Sequence, residues 1–163
     1  MQLTKAAILP ARQRNFSLDD PRFRPLVNAN AAMAMLDRTA LEIDALCDEA
    51  RLIAFDIRAV GERKELRILA SSIARLQTGQ TPLVPLDDWP EIFTRICGPQ
   101  KNKPALTGVD VQRSLNCDSG HVINLLNEKL LRVVPGTDWQ RGPGGSPSIV
   151  TSSFEQFLKG RLQ

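Results

Sequence analysis

Residues 68–79, Ile-Leu-Ala-Ser-Ser-Ile-Ala-Arg-Leu-Gln-Thr-Gly, recur in outline at residues 149–160, Ile-Val-Thr-Ser-Ser-Phe-Glu-Gln-Phe-Leu-Lys-Gly. Isoleucine opens both segments, a Ser-Ser pair sits at the same place in each, and glycine closes both. Upstream, Leu36, Ile43 and Leu46 fall on Leu115, Val122 and Leu125, and Asp48-Glu49 falls on Asn127-Glu128. The offset is 79 there (115 − 36) and 81 later (149 − 68), so the second copy holds two extra residues in between. Loops are where a chain tolerates such insertions. An ordered set of same-class matches at a nearly constant offset predicts a duplicated module. The expected organisation is an arm (1–24), a first module (25–79), a linker (80–104) and a second module (105–163).

Within the first module, residues 29–50 are rich in Ala, Leu, Met and Glu and lack Gly and Pro, a helical composition. The polar break Asp37-Arg38-Thr39 lets Thr39 cap a second helix, with Glu42 completing a capping box. From Ile53 the period shortens to two. Ile53, Phe55 and Ile57 alternate with Ala54, Asp56 and Arg58, which reads as a half-buried strand. A polar turn through Gly61 leads to a return strand at Leu66 and Ile68. Ser71 or Ser72 then caps a helix that Gly79 stops.

The second module reads in the same order. An amphipathic segment with Val109, Val111 and Leu115 follows Leu106-Thr107. Asn116–Gly120 has turn composition, and Val122, Leu125 and Leu126 mark a second amphipathic segment. Leu130–Val134 and Ser148–Val150 read as strands around a Gly/Pro-rich excursion, and a last helix opens at Ser152. Between the modules, Trp89, Ile92, Phe93 and Ile96 form a helical apolar stripe behind Asp87 or Asp88, expected to plug the space between the domains rather than to bind a partner.

Helix, tight turn, helix, hairpin, helix resembles the excisionase/MerR-type winged helix-turn-helix domains. Leu106-Thr107, Val111, Leu115, Val122, Leu125, Leu131 and Ser152 carry the likeness, over about a third of the chain. Lys129 stands where that family commonly has a glycine. No coiled coil or effector domain follows, which moves the likeness toward short excisionases and small phage or plasmid regulators. The expected fold class is α+β, mostly helical, with two tandem winged helix-turn-helix modules and small β-hairpin wings.

A recognition helix presents its N-terminal residues to the major groove. Ser119, Gly120, His121 and Asn124 occupy that place, where asparagine can pair with an adenine edge and glycine lets the backbone approach closely. Lys129 and Arg132 flank the following strand and suit phosphate. The second wing, 135–147, carries Trp139, Gln140 and Arg141, and the first carries Arg58, Arg63, Lys64 and Arg67. The matching helix of the first module, with Ala40, Leu41, Glu42, Asp44 and Ala45, repels phosphate and offers no base readout. That module is expected to pack on a partner, to dimerise, or to touch the backbone through Arg63 and Lys64. In the arm, Lys5, Arg12, Arg14, Arg22 and Arg24 outnumber Asp19 and Asp20 and suit phosphates or a minor groove, or form a solvated terminus.

The net charge of the 163 residues is +3, which permits nucleic acid without demanding it. Cys47, Cys97 and Cys117 are too scattered, and His121 too solitary, for a zinc site, and the odd cysteine count fits a reducing compartment. No apolar run reaches the roughly 20 residues a membrane span needs, and the N-terminus lacks the apolar core of a signal peptide. No nucleophile elbow, Gly-rich phosphate loop or carboxylate cluster suggests an enzyme. The expectation is a cytoplasmic, cofactor-free protein that binds double-stranded DNA sequence-specifically. It would act as a small transcriptional regulator, or as a recombination or architectural factor of a mobile element. Self-association, or another regulator or recombinase, is its expected partner. The competing expectation is a protein-interaction adaptor on a winged-helix scaffold.

Overall fold

The structure is a computed structural model that describes residues 24–136 and 147–163. It is α+β, with seven α-helices and two small antiparallel sheets among the described residues. The first half runs β1 (Leu26–Asn28), α1 (Ala29–Leu36), α2 (Ala40–Asp48), β2 (Ala54–Asp56), β3 (Leu66–Leu69) and α3 (Ala70–Thr78). Helix α4 (Trp89–Cys97) and a 3-10 turn at Gly98–Asn102 follow. The second half runs β4 (Ala105–Thr107), α5 (Gly108–Leu115), α6 (Ser119–Asn127), β5 (Ser148–Val150) and α7 (Thr151–Gly160).

The duplication is written into the backbone hydrogen bonds. Ala70 N donates to Pro25 O, and Thr151 N donates to Pro104 O. Leu46 O accepts from Arg51 N and Leu52 N, as Leu125 O accepts from Leu130 N and Leu131 N. Ser72 Oγ donates to Leu69 O and accepts from Ile53 N; Ser153 Oγ donates to Val150 O and accepts from Arg132 N. Ala54 pairs with Ile68 in one copy and Val133 with Ile149 in the other. Each of these matches keeps the 79 and 81 offsets. Left-handed residues also coincide: Asp37 and Asn116 end the first helix of each copy, and Ala50 (φ 57) matches Lys129 (φ 60). A left-handed backbone is the conformation glycine adopts without strain, and Ala50 and Lys129 hold it with a side chain present.

Several expected elements change in detail. Thr39 forms the capping box with Glu42, and Gly79 stops α3 in the left-handed region. Neither Ser71 nor Ser72 caps α3, whose N-cap is Leu69, and α7 opens at Thr151 rather than Ser152. The second serine of each pair ties the first turn to the preceding strand. The strand at Leu130–Val134 reduces to one bridge at Val133. β1 and β4, not anticipated, pair with β3 and β5. Val109, expected on an apolar face, is 53% exposed.

β2 is not half-buried; all three of its residues are buried, because both faces of the first sheet are covered. Val27, Ala54 and Ile68 face the core of the first half. Leu26, Ile53, Phe55, Ile57 and Leu69 join a second core with α4, α5, α6 and α7. Helix α4 fills the gap between the halves, as its stripe anticipates. Trp89 stacks on Phe93 at 6.0 Å, meets Phe55 edge-on, and donates Nε1–H to Glu155 Oε2 at 2.8 Å. Burying one such aromatic contributes about 1.5–3 kcal/mol. The free edge of β2 is closed by the residues after α7: Asp56 N donates to Arg161 O, and Gln163 N to Ala54 O.

Candidate nucleic-acid interface

Helix α6 is built for a fixed start. Asp118 accepts from His121 N at 2.8 Å as its N-cap. Val122, Leu125 and Leu126 are buried under α5. Ser119, Gly120, Ile123, Asn124 and Asn127 lie on the exposed side. Of the residues singled out in the sequence, the structure brings Gly120, His121 and Asn124 together. They line a cleft of about 430 Å³ with Ile57, Glu62, Glu65, Arg67, Cys117 and Asp118. Ser119 is exposed at the start of the helix, and Lys129 and Arg132 are exposed just past its end. Arg63 and Lys64 are exposed in the β2–β3 connection. Trp139, Gln140 and Arg141, and the arm through residue 23, lie outside the described residues.

His121 does not sit on the outer side. Its side chain is only 14% exposed and turns toward the first half. Nε2 lies 2.5 Å from Ile57 O, and because a carbonyl only accepts, Nε2 carries the proton. Nδ1 then faces Glu62 Oε1 at 3.7 Å. The first copy has Glu42 at the matching position, where it closes the capping box; in the second copy a histidine there reaches across to the neighbouring half instead.

Arg67 is likewise not a free cation of a wing. It is 8% exposed and points into the turn between α5 and α6. Nε donates to Leu115 O at 3.0 Å, Nη2 to Asn116 O at 2.9 Å, and Nη1 to Glu65 Oε2 at 2.7 Å. Carbonyls at the end of a helix lack intrahelical donors, and a guanidinium fork satisfies two of them at once. Glu128, which sequence reasoning passed over, accepts from Val60 N at 2.7 Å. Only the matching of a buried arginine to an orphaned turn marks Arg67, and nothing local in the sequence signals it. Arg58 is half-exposed and paired with Asp56 at 3.1 Å.

The cleft is acidic: Glu62, Glu65 and Asp118 against Arg67 leave one plus and three minus charges, or −2 with His121 neutral. That charge disfavours phosphate in the cleft's interior, whose lining includes Gly120 and Asn124 from the exposed side of α6. Among the described residues no three of His, Cys, Asp and Glu are placed to hold a metal ion. Burial pushes the Cys117 thiol up to about 12, against the pull of the nearby Arg67 and Arg24, and so favours its neutral form. Gly120 has no positive φ, and a Cβ there would meet Asp118 Oδ1 at 3.4 Å, an ordinary contact. The fold itself does not demand glycine at this place.

The chain matches no family model, no curated protein and no solved structure. No helix among the described residues is long and apolar enough to cross a membrane.

Proposed function

We propose that the chain binds double-stranded DNA through the outer face of α6, without catalysis, each half being a winged helix-turn-helix module. One observation carries the reading. Ser119, Gly120, Asn124 and Asn127 form an exposed, uncharged, hydrogen-bonding face, with Lys129 and Arg132 at its end. Asn124 is suited to a bidentate pair with adenine, and Gly120 to close approach of the backbone. The twice-repeated order of strand, two helices, a short strand or single bridge, strand and helix supports the modules. His121 contributes by fixing the pose of α6 rather than by touching bases. A transcriptional regulator, or a recombination or architectural factor of a mobile element, is the role this reading fits. One helix reads few base pairs, so a second copy or a partner regulator would complete the site.

A second reading has its own observation. Leu41 is 81% exposed on α2, beside Glu42 and Asp44. Such a face suits a protein partner, and the adaptor reading rests on it.

Selection of duplexes from a random pool, followed by anisotropy titration across salt, separates the two. The DNA reading expects affinity to fall steeply with salt. It expects Asn124→Ala to cost about 1–3 kcal/mol at one base pair only. It expects Gly120→Ala to weaken binding although alanine is the better helix former. Absence of duplex binding at low salt, or an unaltered selected sequence with Asn124→Ala, overturns it.

A further inference from the structure

The connection between β2 and β3 lies against a helix of the other half. Ile57 O meets His121 Nε2, Glu62 faces His121 Nδ1, and Val60 N donates to Glu128 Oε1 at the far end of α6. These contacts run from the first turn of α6 to its C-cap. The hairpin therefore borders α6 along its length, on the side of His121, Asn124 and Glu128. It leaves Val60 69% exposed, while Ile123 on the open face of α6 is 39% exposed. Isolated exposed apolar residues need no explanation, but these two stand on elements in direct contact, Val60 next to the C-cap of α6 and Ile123 within it. Arg63 is exposed at the turn of the same hairpin, with Lys64 next to it.

We propose that the first half's hairpin and the second half's helix α6 form one composite duplex-reading surface. Ile123 and Val60 each supply an apolar contact for a thymine methyl group, Asn124 reads adenine, and Arg63 with Lys64 takes flanking phosphates. The inference rests on α6 being the DNA-reading helix. Its physical basis is that the thymine methyl is the apolar feature of the major-groove edge, read by apolar side chains. The acidic groups Glu62 and Glu65 face His121 and Arg67 across the cleft, and Arg67 offsets the charge of Glu65 there. On this arrangement the first copy, whose own helix is acidic, serves the duplex as a flank for its twin.

The test uses the full chain and its selected duplex, with thymines replaced one at a time by deoxyuridine, which lacks only the methyl. Wild-type binding should weaken about fourfold at each methyl that is contacted, from the value of one buried carbon. The penalty should vanish in Ile123→Ala at one position and in Val60→Ala at another. The double variant Arg63→Ala/Lys64→Ala should bind all sequences more weakly, and its slope of log affinity against log salt should be shallower by about one per lost phosphate contact. Because deoxyuridine alters the DNA and not the protein, misfolding cannot mimic the first result. If wild type binds thymine and deoxyuridine duplexes equally, or the double variant keeps the wild-type slope, the composite surface is refuted while DNA binding stands. If wild type binds no duplex at low salt, both readings fall.

Discussion

Replacing Arg67 by methionine removes a buried guanidinium while keeping a side chain of similar length. Its donors to Leu115 O and Asn116 O disappear. The ion pair with Glu65 at 2.7 Å goes as well, but Glu65 is half-exposed and its charge returns to water at little cost. The loss therefore concentrates in the two carbonyls. A hydrogen bond to a charged group is worth about 1.5–3 kcal/mol, and a stranded buried acceptor costs a comparable amount. Against this stands the desolvation of the guanidinium, which methionine does not suffer. The net expectation is a loss of about 3 kcal/mol. For a chain of this size that lowers Tm by about 6–12 °C. Calorimetry measures it, and amide exchange adds a local readout: protection should fall first at Cys117 to His121, which the fork anchors. Arg67→Lys keeps the charge but not the fork and should fall between the two. If Arg67→Met shifts stability by less than about 1 kcal/mol, the turn does not depend on the first half, and the reasoning fails.

Ala50→Gly and Lys129→Gly should each stabilise by about 1 kcal/mol, since both positions have positive φ, and guanidinium unfolding midpoints would report it. In the lysine case duplex affinity should drop as stability rises. Burial raises Cys47 and Cys97 to about 11 and Cys117 to about 12, above the ordinary 9.0. The unfolded chain thus ionises its thiols first, so stability should be intact below pH 9 and decline as pH climbs toward 11–12. Melts across that range, and slow thiol alkylation of the native protein at pH 8, would check this. Trp89→Ala should cost about 3–5 kcal/mol and lower a single unfolding transition seen by probes in both halves; two separate transitions would contradict the shared core.

The local signals were readable. Thr39 with Glu42 announced a capping box, Gly79 a left-handed stop, and Trp89, Ile92, Phe93 and Ile96 a buried stripe, because each depends on neighbours within a turn or two. The repeat was readable for a different reason: the same contacts were required twice. What escaped were the features decided by distant partners. Strands β1 and β4 are three residues long, too short for a period, and their partners lie some 40 residues on. Val109 fits an apolar pattern, yet it is half-exposed. His121 has the spacing of an outward recognition residue, yet a carbonyl 64 residues away draws it inward. Arg67 looked like one more wing cation until the turn it satisfies was in place.

The edge of β2 is closed by residues 161–163, more than a hundred positions later in the chain. During synthesis the first half therefore emerges with an unfinished sheet. Its backbone donors on that side, and the apolar faces of Leu26, Phe55 and Ile57, stay uncovered until α4 and the second copy are made. Native folding of the earlier copy waits on the later one, although the two share a plan. Such distant closure slows folding, and for that interval the open edge is a place where two nascent chains can pair with each other in error.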